Sequence, residues 1–162
     1  MPLEQRDKEL AAIGASIGAN CEPCIEHHLA AGREAGLSQA ELDTAVASAH
    51  AVRNEAVELL TARVDELLGH GESRLAPAAV GPTAKPHELV ALGVSVGANS
   101  HPLLHVHIGA ALDVGLELHE VKSALKMAGY VQQHAAGLTA EAVTRTLTER
   151  VGGSVGAVAS IR

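Results

Sequence analysis

The sequence predicts an all-α protein in which two tandem helical repeats pack as one unit. Leu10, Ile13 and Ile17 recur at helical spacing, and no run alternates with period two for long enough to suggest a sheet. Hydrophobic residues make up 47 % of the chain, almost all of them Ala, Val, Leu and Ile, with one Tyr and no Trp or Phe. The core must therefore be built from small side chains that let helices approach closely.

A segment of the first half recurs in the second half. The stretch ELAAIGASIGANCEPCIEHHLAAGREAGL, which begins at Glu9, aligns without a gap with ELVALGVSVGANSHPLLHVHIGAALDVGL, which begins at Glu88. Such internal similarity indicates a tandem duplication. We expect a first repeat over residues 1–68, a Gly- and Pro-rich linker over 69–85, a second repeat over 86–150 and a tail over 151–162. Identical residues stand at Glu9 and Glu88, Gly14 and Gly93, Ser16 and Ser95, Gly18 and Gly97, Asn20 and Asn99, Pro23 and Pro102, His28 and His107, and Gly36 and Gly115.

The first two helices of the repeat are marked by their ends. The first is expected over residues 5–18 and should end at the Gly-Ala-Asn sequence, which is typical of a helix C-terminus. Asn20 is the expected N-cap of the second helix, and Pro23 falls in its first turn. Backbone N–H groups in the first turn have no intrahelical partner, so proline, which lacks an N–H, is tolerated there. This helix should run to about Ala35, with Gly36 as its C-terminal stop.

A third helix follows in each repeat. Ser38 and Glu41 have the spacing of a capping box, and the helix that they open can break around residues 53–54. In the second repeat, Thr139 is the expected N-cap of a last helix that ends near Arg150. The tail beyond it shows no clear period.

Composition excludes some partners and locations. A formal net charge of −7 and the scarcity of aromatic residues argue against nucleic acid. Residues 89–112 carry no Asp, Glu, Lys or Arg, but their histidines, Asn99 and Pro102 favour buried protein over a membrane span. The start MPLEQRDKEL lacks the pattern of a signal peptide, so a cytoplasmic location is expected. In that compartment a C-x-x-C pair is more often catalytic or metal-binding than a structural disulfide.

The first repeat carries the candidate chemistry. On a helix, Cys21, Cys24 and His28 lie on one stripe that begins at the helix N-terminus. That end favours thiolate over thiol, and an imidazole one turn away can take the proton. Cys24 is then the more reactive sulfur and Cys21 its resolving partner. Glu9 is a candidate to orient His28, and His27 is a weaker candidate for the base.

Two other interpretations of the same residues stay open. Cys21, Cys24, His28 and Glu9 have the number and types of ligand for a structural zinc ion. Alternatively, the two cysteines are small apolar residues in a helical core. Free thiols in the purified protein argue for redox chemistry, whereas bound zinc masks both of them.

The second repeat lacks the dithiol. Ser100 and Leu103 stand where the first repeat has its cysteines, so this copy cannot run dithiol chemistry. His101 and His105 lie four apart on one helix face, and with Glu88 they are candidate ligands for zinc or nickel. The alternative is a relic pocket whose histidines are solvated or hydrogen-bonded.

The combined pattern resembles a known family. Glu9, Cys21, Cys24 and His28, with GAN before the first cysteine and AAGREAGL after the histidine, are similar to the carboxymuconolactone decarboxylase family and, within it, to the alkylhydroperoxidase branch related to AhpD. The resemblance covers residues 5–55, and its degenerate copy covers residues 84–135. It implies that Cys24 is the peroxidatic cysteine, Cys21 the resolving cysteine, His28 a general base and Glu9 a member of the proton relay.

The resemblance also implies an activity and partners. The expected protein is an antioxidant thiol peroxidase that reduces organic hydroperoxides, holds no cofactor and is recharged by a dithiol or lipoylated-protein donor. It is expected to form a homo-oligomer, a trimer or hexamer. Pro23 stands where some family peroxidases carry a histidine, so a general thiol-disulfide oxidoreductase is an alternative. Lactone decarboxylation, which in this family does not depend on a C-x-x-C pair, ranks lower.

Overall fold

The computed structural model describes residues 3–70 and 83–151, and over these ranges the chain forms α-helices joined by short turns, without a strand. The all-α prediction is confirmed. Each repeat contributes two short helices and one long one. The helices are α1 (Gln5–Gly18), α2 (Glu22–Glu34), α3 (Gln39–Leu67), α4 (Lys85–Gly97), α5 (His101–Asp113) and α6 (Leu118–Val151).

The first helices of the two repeats form the centre of the molecule. α1 and α4 lie against each other, and the long helices α3 and α6 each pack on both of them. α2 and α5 cover α1 and α4 respectively. The two repeats therefore share one core and pack as one unit, as the sequence predicts.

Glycine sets the distance between α1 and α4. A Cβ on Gly14 would overlap the carbonyl of Val90, and a Cβ on Gly93 would overlap the carbonyl of Ala11. The two contacts are equivalent under the internal repeat. Because glycine has no side chain, the two backbones touch directly, which explains why both copies need glycine here.

The turn before α2 differs from the prediction. Asn20 has a φ of 56° and Asn99 a φ of 54°, so both adopt the left-handed conformation that Asn tolerates better than most residues. The N-cap of α2 is Cys21, whose Sγ accepts a hydrogen bond from the Cys24 N–H. The prediction of Asn20 as N-cap was therefore wrong by one residue. Pro23 does lie in the first turn of α2, as predicted.

The predicted signals between α2 and α3 are confirmed. Gly36 has a φ of 90° and follows the C-cap of α2. Ser38 and Glu41 form the capping box at the start of α3, each side chain bonding to the backbone N–H of the other residue.

Two predicted interruptions are absent from the described helices. α3 continues through residues 53–54, and α6 continues through Thr139 to Val151. The Thr139 hydroxyl donates to the carbonyl of Ala135 at 3.0 Å, which satisfies its polar group inside a helix and removes its need to cap one.

The predicted linker, residues 69–85, and the predicted tail, residues 151–162, fall mostly outside the described residues. Along the ranges 3–70 and 83–151, no helix combines the length and the apolar character that a membrane crossing requires.

Candidate active site

The two cysteines lie at the N-terminus of α2. Cys21 caps the helix and Cys24 lies in its first turn, and the two residues form a disulfide with their Cα atoms 5.2 Å apart. The Cys24 N–H donates to Cys21 Sγ at 3.3 Å. Unpaired N–H groups and the positive end of the helix dipole meet at this position, so negative charge on sulfur is stabilised when the disulfide is reduced.

A buried carboxylate-imidazole pair lies next to the cysteines. Glu9 of α1 reaches across to α2, where its Oε2 lies 2.8 Å from His28 Nδ1. Glu9 is only 3 % exposed and His28 only 8 %. With Glu9 ionised, its oxygens only accept hydrogen bonds, so Nδ1 carries the proton and Nε2 is the nitrogen that can exchange one. Gln5 donates to the other oxygen of Glu9 at 2.6 Å, which fixes the carboxylate on both sides.

The two cysteines border different cavities. Cys24 lines a pocket of about 170 Å³ together with both histidines of the C-x-x-C-x-x-H-H stretch. Cys21 lines a separate cavity of about 390 Å³, whose wall includes Asn20, His50 and Arg53. One small molecule can therefore approach Cys24 while another approaches Cys21.

The second repeat completes the pocket at Cys24. Tyr130 and His134 of α6 line it, with their rings stacked at a centroid distance of 6.4 Å. His27 is exposed at its rim and meets the His28 ring edge-on at 4.9 Å. The sequence analysis missed both α6 residues, because they lie about a hundred positions from the cysteines and no local pattern connects them.

Around the disulfide, the surroundings are apolar. Both cysteines are buried among small side chains of α1 and α6. Such packing excludes bulk water from the sulfurs while leaving the two cavities as routes to them. The buried members of this cluster besides the cysteines are Ala12, Ala15, Ala128, Val131 and Ala135.

A comparison of the sequence with models of protein families gave a match in the first repeat. Residues 2–66 match the model of the carboxymuconolactone decarboxylase family. The match covers the first repeat and therefore less than half of the chain. The match contains all four residues of the candidate site, and the family includes AhpD-like members, so the resemblance drawn from the sequence is confirmed. Searches among curated proteins and among solved structures gave no match.

Outside the family match, the second repeat keeps the buried pair but not the sulfurs. Glu88 Oε2 lies 2.9 Å from His107 Nδ1, the counterpart of the Glu9–His28 contact. Burial by itself would raise the pKa of Glu88, but hydrogen bonds from His107 and Thr83 and the charges of nearby histidines hold this pKa below its usual value. Leu103, fully buried, takes the place of Cys24.

The structure does not gather the metal ligands expected from the sequence. His101 and His105 are exposed on α5, whereas Glu88 is fully buried in α4. Because the imidazole of His107 faces α4, the solvent face of α5 that holds the other two histidines points away from the carboxylate. The grouping that does form consists of His87, Glu88 and His107.

Proposed function

We propose that this protein is an antioxidant thiol peroxidase of the alkylhydroperoxidase type, in which Cys24 reduces organic hydroperoxides and Cys21 closes a disulfide. The observation that carries the proposal is the 2.8 Å contact between Glu9 and His28, whose ring lines one pocket with Cys24 of the C-x-x-C pair at the N-terminus of α2. It supplies a nucleophile, a base and a group that orients the base, in one buried place.

The reaction begins with the reduced protein. His28 Nε2 takes the thiol proton of Cys24, and the resulting thiolate attacks the terminal oxygen of the hydroperoxide. The O–O bond breaks, Cys24 becomes a sulfenic acid, and the alkoxide leaves as an alcohol with the proton from the imidazolium. Sulfur is oxidised by two electrons and the peroxide is reduced by two.

Cys21 then completes the oxidative half. Its thiolate attacks the sulfenic sulfur of Cys24, water leaves, and the disulfide forms across the first turn of α2. The reductive half needs a dithiol, free or carried on a lipoylated protein, which attacks the disulfide, passes through a mixed disulfide and leaves oxidised. The cavity at Cys21 is the proposed route for such a reductant, and the pocket at Cys24 is the proposed route for the peroxide.

A general thiol-disulfide oxidoreductase is the second candidate. Pro23 between the cysteines favours it, because a histidine at this place would have given the peroxidase a further proton donor. A zinc module on the same residues requires thiolates that are free of the disulfide.

The test is hydroperoxide consumption with a dithiol donor. Wild-type protein with cumene hydroperoxide and dihydrolipoamide should turn over, and Cys24→Ser and His28→Gln should lose the activity while keeping their helical circular dichroism. His105→Gln places the same substitution at an exposed position of α5 and is the matched control, with full activity expected. If the wild type reduces insulin disulfides but consumes no hydroperoxide, the second candidate replaces the first.

We also propose that copies of the chain associate and that they work in the cytoplasm. One face of α3 exposes apolar side chains at helical spacing, including Val57, Leu60 and Leu67, which are between 55 % and 67 % exposed. A trimer or hexamer would cover this face. Light scattering should give a mass of at least three chains, and Leu60→Glu should lower it.

A further inference from the structure

We propose that the second repeat binds a divalent transition metal ion, zinc by preference, between His87, Glu88 and His107. One donor atom from each residue can be chosen so that all three lie within 4.8 Å of one another. His87 Nε2 and Glu88 Oε1 stand 4.0 Å apart. Zinc bonds to nitrogen and oxygen are about 2.0–2.1 Å long, so tetrahedral ligands stand about 3.3 Å apart. The side chains would have to rotate to bring the donor atoms to that spacing when the ion binds.

Two buried polar atoms at this place lack a partner within the described part of the chain. They are Glu88 Oε1 and His107 Nε2. Glu88 is 0 % exposed and His107 is 1 % exposed. Buried polar atoms are nearly always paired, because an unpaired one costs about 1–3 kcal/mol. A cation beside Glu88 Oε1 removes that cost for the carboxylate, which His107 faces with its Nδ1.

Ser48 prepares His87 for coordination. The hydroxyl of Ser48, on α3, lies 2.7 Å from His87 Nδ1, which leaves Nε2 directed at the Glu88 carboxylate. Metal-binding histidines commonly use their second nitrogen in this way, and the contact fixes ring orientation.

The site is accessible from one side. The His87 side chain is 34 % exposed and lines a cavity of about 340 Å³ that Ser48 also borders. Of the three ligands, His87 borders this cavity, so an ion would reach the buried Glu88 and His107 past the His87 ring. Zinc sites with two histidines and one glutamate take a water molecule as fourth ligand. Arg6 also lines the cavity, but its guanidinium is paired with Glu41.

The first repeat offers no equivalent site. Lys8 stands where the second repeat has His87, and an ammonium group repels a metal ion. Both oxygens of Glu9 are already bonded, to Gln5 and to His28. The ligand set is therefore a property of the second repeat alone, in which the dithiol has been lost.

Calorimetric titration of the oxidised protein with zinc alone tests the proposal. The disulfide keeps both sulfurs from binding the ion, so any zinc bound reports on other ligands. After chelator treatment and dialysis, the wild type should bind one equivalent per chain, and His87→Gln should bind at least tenfold more weakly. His87 is partly exposed, so this variant should fold. If its helical signal is lost, Ser48→Ala takes its place, with a loss of about 10–100-fold expected.

The control is the double variant with His101→Gln and His105→Gln, which removes two exposed histidines from the same repeat and should bind zinc as the wild type does. The proposal is overturned if the oxidised wild type shows no saturable binding, or if His87→Gln binds with wild-type affinity. It is also overturned if the loss occurs in the double variant instead.

Discussion

Replacing Gly14 by Ala should destabilise the protein by about 1–3 kcal/mol, because α1 and α4 touch through their backbones at this residue. The new Cβ would stand 3.0 Å from the carbonyl carbon of Val90 and 3.1 Å from its Cα, and it would overlap the carbonyl oxygen. Ordinary contact begins at 3.4 Å. The obstacle is helix backbone, which cannot rotate away as the end of a side chain can, so the two central helices must move apart.

The expected loss in the free energy of unfolding arises because moving the two helices apart disturbs the shared core. α1 and α4 form the shared core, and the residues around the contact, such as Ala11 and Leu89, are fully buried. For a chain of this length, each kcal/mol corresponds to about 2–4 °C in Tm. Gly14→Ala should therefore lower Tm by roughly 2–12 °C.

The assay is urea and thermal unfolding followed by circular dichroism, at one protein concentration, since the chain has no Trp and one Tyr. Gly129→Ala is the matched control, because its Cβ meets no other atom within 4 Å among the described residues. It should stabilise α6 by about 0.5–1 kcal/mol, the usual gain of Ala over Gly inside a helix. Equal stability of Gly14→Ala and the wild type would refute the close backbone contact.

Three further predictions concern single side chains. Glu9→Gln should lower kcat/KM for hydroperoxides by about 10²–10⁴-fold, because His28 loses the carboxylate that orients it as the base. A steady-state rate within twofold of the wild type would contradict this. Asn20→Ala should cost about 1–2 kcal/mol in urea unfolding, since Ala disfavours the left-handed conformation, whereas Asn20→Gly should cost less. Hydrogen bonds from the Ser38 backbone and hydroxyl, with Arg6 nearby, lower the pKa of Glu41 from 4.5 to about 2. Its stabilisation is therefore present above pH 4.5 and lost as pH falls through about 2, so the Tm difference between the wild type and Glu41→Gln should shrink over that interval, and a pH-independent difference would argue against it.

The helices and the repeat follow from local pattern, which is why the sequence predicts them. Helical spacing and glycine stops depend on neighbouring residues alone, and Gly36 ends α2 as expected. The errors arise where one residue type suits two local roles. Asn serves both as an N-cap and as a left-handed turn residue, and Thr both caps helices and bonds back within them. At Asn20 and Thr139 the second role applies.

In the candidate site, too, local spacing predicts some contacts, whereas others depend on how the helices pack. Cys21, Cys24 and His28 share one helix, so their proximity follows from helix geometry. That Glu9 bonds His28 depends on how α1 packs against α2, and the sequence supplies only the candidate. Tyr130 enters the pocket at Cys24 through a contact between the repeats, which no spacing within one repeat can indicate.

A single-turnover experiment tests the central claim most directly. Reduced Cys21→Ser, mixed with one equivalent of an organic hydroperoxide in the presence of dimedone, should give one equivalent of alcohol and a dimedone adduct on Cys24 by mass spectrometry. Reduced Cys24→Ser should leave the hydroperoxide intact over the same time. If Cys24→Ser consumes the hydroperoxide as fast as Cys21→Ser does, Cys24 is not the residue that attacks the peroxide, and the account given for this site is wrong.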